Sequence, residues 1–151
     1  MAHQFTLGAE CLLAVFTGSL TRADLEALLA ETDRLEKKTG HVPNRLADFR
    51  PTTEFEVNYE TIQALTSFRR ERRFANPFKT ALLTANSVQH GYARMFQTLE
   101  DNPQIQIRIF SDEAAARSWL ARHDGDVIPE PGVGRNSLNP VRIQPGQSTF
   151  L

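Results

Sequence analysis

The chain has 151 residues, 40% of them hydrophobic, and 17 basic against 18 acidic side chains leave a formal net charge of -1. That length suits one domain with its own core, and the near balance of charge excludes a chain that holds nucleic acid by bulk attraction, which needs a clear basic excess. A single cysteine, Cys11, excludes an internal disulfide and, inside an apolar run, reads as a reduced core thiol.

Residues 3–7 predict a first strand, Gly8-Ala9 a tight turn, and 10–16 a second strand, most economically joined as a hairpin. Thr17-Gly18-Ser19 is expected to break that strand. Thr21 then caps a helix, with Asp24 in the capping-box position. Leu25, Leu28, Leu29, Thr32 and Leu35 line one face of it, and Gly40 stops it after Lys37 and Lys38. Residues 44–49 form a short third strand, and 50–56 read as a polar loop around Pro51. Asn58 caps the next helix, although Thr53 with Glu56 offers a rival capping box. Ile62, Leu65 and Phe68 are expected to face inward, and the helix to end near 74–76, before Pro77.

Residues 78–85 form the fourth strand, and Asn86 or Ser87 caps a helix whose buried stripe is expected to be Val88, Tyr92, Met95, Phe96 and Leu99. Gly91 inside it implies a close approach to the sheet or to another subunit, since glycine is costly in a helix. Ile105, Ile107 and Ile109 alternate with Gln104, Gln106 and Arg108, the pattern of a strand with one wet face. Ser111 is expected to cap the last helix, with Asp112 and Glu113 in its first turn and Ala115, Trp119 and Leu120 facing the sheet. Residues 1–123 thus make one domain. Residues 124–151, rich in proline and glycine, read as a flexible tail in which 141–143 offer a strand to a neighbouring edge.

Four successive strand–helix units predict an α/β fold with a mostly parallel sheet and right-handed crossovers. In such a sheet ligands sit beyond the carboxyl ends of the strands. The residues at those corners are 17–19, 48–53, 86–90 and 111–112. They supply the candidate ligand site: Asp48, Arg50, Thr53, Tyr59, Asn86, Ser87 and His90. Hydroxyls and helix-start amides there suit an anion or polar headgroup, although each also serves as an ordinary cap or turn. Arg69, Arg70, Arg72 and Arg73 form a basic patch near a helix end. It suits an acidic partner or lipid headgroups, or simply a solvated helix end. Of the phenylalanines, 16, 49, 68, 78, 96 and 110 read as core, while Phe55, Tyr59 and Phe74 read as the rim of a pocket able to take an acyl chain.

Three stretches carry a family resemblance: VFTGSLTRADLEALL, NRLADFR, and HGYARMFQTLE followed by IQIRIFSDEAAARSWL. Over residues 5–122 the chain resembles the SpoIIAA-like branch of the STAS domains, relatives of bacterial anti-sigma-factor antagonists. The resemblance implies a mixed, mostly parallel five-stranded sheet with about four helices and a leading β-hairpin. It implies a regulatory or binding domain, not an enzyme, that takes an apolar or lipid-like molecule or a regulatory protein. No cofactor, metal or specific nucleic acid is expected. The sporulation regulators carry a phosphorylated serine in an Asp-Ser-Ser-Gly turn. Here the matching turn is DFRPTTEFEVNYETI, where Thr52 and Thr53 are the nearest hydroxyls.

Two alternatives stand beside binding. A small enzyme would use the corner near Asp48, Ser87 and His90, although no GxSxG elbow is present. An oligomeric scaffold, a homodimer at its simplest, would dock the tail on a neighbour. His3, His41, His90 and His123 have no metal-ligand spacing. The chain shows neither a basic-apolar-small leader nor an apolar run of about 18 residues, so a soluble cytoplasmic protein is expected.

Overall fold

A computed structural model describes residues 3–122. Its elements are β1 (His3–Leu7), β2 (Leu12–Phe16), β3 (Gly18–Thr21), α1 (Arg22–Thr39), β4 (Arg45–Asp48), β5 (Thr52–Glu56), α2 (Tyr59–Phe68), β6 (Phe78–Leu83), α3 (Ser87–Leu99), β7 (Ile105–Phe110) and α4 (Glu113–Ala121). The main sheet has the order β1-β2-β4-β6-β7. β1 runs antiparallel to β2, and the other three junctions are parallel. The tail expected over 124–151, and His123, lie outside the described residues.

Each crossover from β2 to β4 to β6 to β7 moves one way across the sheet. Crossovers of one hand therefore place α1, α2 and α3 on the same face. Leu25, Leu28 and Leu35 of α1, Ile62 of α2 and Ala93 of α3 pack there against Leu12, Ala14, Phe16, Ala47, Phe49 and Leu82. The alternate side chains of the same strands, Leu46, Ala81 and Leu83, point the other way. They meet Ala116, Trp119 and Leu120 of α4, together with Cys11. Burial in this second cluster pushes the Cys11 thiol up.

Local signals hold where the structure is local. Thr21 caps α1 in a complete capping box with Asp24, and Gly40 ends it in the left-handed region, at φ 76°. Asn58 and Asn86 cap α2 and α3 through their side-chain oxygens.

Long-range pairing overrides the local reading elsewhere. The hairpin turn spans four residues, 8–11, so β2 begins at Leu12. Most of the expected break at 17–19 and of the expected loop at 50–56 is strand: residues 18–19 belong to β3 and 52–56 to β5, while Arg50 and Pro51 form a turn. β3 and β5 pair in parallel as a second, two-stranded sheet that continues β2 and β4 past the main one. Gly18, at φ 79°, makes the bend between the two sheets, and the β3–β5 register shifts there. Because β5 occupies 52–56, the rival capping box at Thr53 does not form.

The helical stripes hold at most positions, with Ile62 and Leu65 of α2, Tyr92, Met95, Phe96 and Leu99 of α3, and Trp119 and Leu120 of α4 on the core side, and differ at single ones. α2 ends at Phe68, whose side chain is 90% exposed, and not at 74–76. In α3 Val88 is exposed, while Gln89 and Ala93 are the buried positions. Asp112, not Ser111, caps α4 by accepting from Ala115 N–H, and Ala116 replaces Ala115 on the buried face.

Of the close approaches expected at Gly91, the one to the sheet is absent among the described residues. A Cβ built there meets no heavy atom within 4 Å. Gly91→Ala should therefore raise stability by about 1 kcal/mol through helix propensity. Urea denaturation checks this, and a loss of stability would show that the helix surface at this point is not open.

Candidate ligand-binding site

The carboxyl ends of the strands carry a row of ion pairs. Both carboxylate oxygens of Asp48, at the end of β4, are taken by Arg50. Oδ1 accepts from Arg50 N–H at 2.9 Å and Nε at 3.0 Å, and Oδ2 accepts from Nη2 at 2.9 Å. Nη2 also donates to Glu113 Oε1 at 2.8 Å, and Glu113 Oε2 accepts from Arg117 at 2.8 Å. Arg117 and then Arg50 hold the Glu113 carboxyl below its ordinary range, and the Asp48 and Glu113 bonds raise Arg50.

Gln89 fastens this rim from beneath. Its side chain accepts from Ala85 N–H at 2.7 Å and donates to the carbonyls of Thr52 at 3.0 Å and Arg50 at 3.2 Å. Asn86 is occupied by capping α3. Ser87 and His90 are exposed on the first turns of that helix, Thr53 is exposed on β5, and Tyr59 stands 47% exposed at the start of α2. Among the described residues, no hydrogen bond joins Asp48, Ser87 and His90. Thr52 is buried and donates its hydroxyl to the Phe16 carbonyl at 2.8 Å, which leaves Thr53 as the accessible threonine of the pair.

The four arginines do not form a free basic surface. Arg69 pairs with Asp33 at 3.3 Å, and Arg72 with Asp33 at 3.0 Å and Glu36 at 2.7 Å, so both tie the segment after α2 to α1. Both also lie over the Phe74 ring. Arg70 pairs with Asp101, and Arg73 is exposed. Asn102 closes the same junction by donating to the carbonyls of Arg69 and Arg72.

A cavity of about 90 Å³ lies between the sheet and the three helices on its first face. Leu25, Leu28 and Leu29 of α1, Ile62 and Leu65 of α2, and Phe96 of α3 form its roof. Ala47, Leu82 and Ile107 form its floor. Phe55, Tyr59 and Phe74, expected at a pocket rim, do not line it. Phe55 stacks on Tyr92 at 4.2 Å, and Phe74 packs on Phe78 in a separate cluster with Val42. A wider depression, about 520 Å³, touches His3, Gln4, Phe5, Thr17 and Glu31 and is open to solvent.

The polar part of the cavity wall is the feature that sequence reasoning missed. β4 alternation puts Arg45 on the same face as Ala47, and Arg45 is only 6% exposed. Nε and Nη2 donate to Thr80 Oγ1 at 3.1 and 3.0 Å, and Nη1 donates to Thr32 Oγ1 at 3.2 Å. The Phe78 ring lies 5.0 Å away. Among the described residues no carboxylate forms an ion pair with it. Burial, with Arg69 nearby, lowers its pKa to about 10. Glu100, at the end of α3, is also on the wall. Burial raises its carboxyl against the pull of the Asn102 N–H, Arg45 and Arg69. One signal was available in advance: an arginine at the start of a strand that must be covered on both faces.

Among the described residues, no group of three or more side chains is placed to hold a metal ion, and no helix is long and apolar enough to cross a membrane. The five-stranded mixed sheet, its leading hairpin and its four helices are the α/β architecture expected of a SpoIIAA-like domain. In a search of solved structures, the chain is similar to an uncharacterized protein of the DUF3478 family with a SpoIIAA-like fold from Shewanella loihica PV-4. The two share 18% identity over 79% of this chain and 92% of that one, with a TM-score of 0.49. No protein-family model matches the chain, and no curated protein matches it.

Proposed function

We propose that this protein works by holding a small, largely apolar molecule between its sheet and helices α1 to α3, and not by catalysis. One observation carries the reading: the principal core contains a cavity of about 90 Å³ walled by aliphatic and aromatic side chains. Protein interiors are otherwise close-packed, so a largely apolar pocket of that size, partly open to solvent, leaves dispersion contacts for a ligand to make. The size argues against a full acyl chain, since an engineered void of about 150 Å³ takes a molecule such as benzene. Support for a non-catalytic role comes from the rim, where Asp48 is committed to Arg50 and has no contact with His90 or Ser87.

The test fills the cavity from its floor. Ala47 is 2% exposed and lies on the wall. Ala47→Leu should keep the melting temperature within a few degrees, because the added carbons occupy existing space. It should also abolish the thermal stabilisation that small apolar molecules confer on the unaltered protein. Equal stabilisation of both proteins would place binding elsewhere and overturn the proposal.

A further inference from the structure

We infer that the occupant of this cavity is a short-chain monocarboxylate, its carboxylate on Arg45 and its chain along the aliphatic wall. This rests on the cavity being the binding site and adds the chemical class of the ligand. Arg45 carries five N–H donors, and three are used on Thr32 and Thr80. One N–H on each Nη is left with no acceptor among the described residues. Those two donors belong to a guanidinium that is 94% buried by its 6% exposure, lines the cavity and has no ion-pair partner among the described residues.

A buried cation with no carboxylate within ion-pair distance is a costly arrangement, which the more distant Glu100 and Asp33 offset only in part, and an anion in contact would complete it. A planar fork with two free N–H groups matches a carboxylate held by two parallel bonds. The neighbouring charges select a single negative charge. Arg69 faces the same cavity, but Asp33 already neutralises it. Glu100 on the wall disfavours a second negative charge. The volume sets the length. A void of about 150 Å³ takes benzene, with its six carbons, so about 90 Å³ suits a carboxylic acid of about three or four carbons.

The experiment is a calorimetric titration of the full chain with acetate, propionate, butyrate and hexanoate. Butyramide is the neutral counterpart, and chloride and sulfate are the simple anions. Propionate or butyrate should bind about tenfold more tightly than butyramide, the worth of a charge-assisted bond. Arg45→Met should lose that preference while still binding butyramide. Glu100→Gln should tighten butyrate by about threefold, because a repelling carboxylate is removed. A merely structural Glu100 would not move affinity in that direction.

NMR of butyrate labelled at its carboxyl carbon decides the matter without a variant. The bound acid should stay ionised at a pH where the free acid is protonated. If butyramide binds as tightly as butyrate, the carboxylate assignment falls and the cavity reading stands. If chloride or sulfate competes as well as butyrate, Arg45 is a simple anion site and the ligand class is wrong. If none of the series binds, both proposals fall together.

Discussion

Gln89→Leu should destabilise the protein by about 2–3 kcal/mol. The side chain is 2% exposed and satisfies three backbone groups on two segments: Ala85 N–H and the carbonyls of Arg50 and Thr52. Leucine has a similar volume but no polar atom, so it leaves all three groups without this partner; Thr52 is buried, while Ala85 and Arg50 are exposed residues nearer to water. Each orphaned group costs about 1–3 kcal/mol, and partial access of water near the rim keeps the sum toward the low end. Loss of the neighbouring cap alone, as in Asn86→Ala, should cost only about 1 kcal/mol. Urea denaturation of both variants measures the contrast. A Gln89→Leu effect no larger than that of Asn86→Ala would mean that the rim is not held by this side chain.

Asp24→Ala should cost about 2–3 kcal/mol at neutral pH, and most of that difference should vanish in acid. Asp24 is 4% exposed and joins the first strand to the first helix. Its carboxylate accepts from His3 Nδ1 at 2.6 Å, from Thr21 N–H at 2.8 Å and from Thr21 Oγ1 at 2.9 Å. Burial pushes the carboxyl up, but the bonds from His3 and Thr21 together outweigh it and leave the pKa lowered. A carboxyl that is more acidic folded than unfolded contributes stability that is fully present above its unfolded pKa, about 3.9. That contribution is lost as the pH falls through the folded value. Unfolding followed from pH 7 down to about pH 2, below both the folded and the unfolded value, should therefore show a large gap between the unaltered protein and the variant at the start and a small one at the end. An equal gap at both would assign the loss to packing and not to the ionised cap.

The arginine segment shows how far charge patterning can be read from spacing. Four arginines within five residues look like a surface patch when seen along the chain. Their partners, Asp33, Glu36 and Asp101, lie about 30 to 39 residues away in sequence. Folding turns three of the four into braces, so a role in meeting lipid headgroups would fall mainly to Arg73. Phe68 is the opposite case. Helical spacing groups it with Ile62 and Leu65, but α2 stops there and, among the described residues, its side chain is left exposed.

The amino-acid order by itself determined the strand–helix alternation of the main sheet, the cap at Thr21, the stop at Gly40 and the α/β class, and it narrowed the next two caps to Asn58 or Thr53 and to Asn86 or Ser87. Those features depend on residues within a turn or two of each other, whose hydrogen bonds and periodicity are written locally. Only the tertiary structure decided that 18–21 and 52–56 pair as a second sheet, that Gln89 and not Val88 turns inward, and that Arg45 lies buried on a cavity wall. Each of these depends on a partner more than ten residues away, and the free energy of such a contact appears only once the chain has brought both sides together.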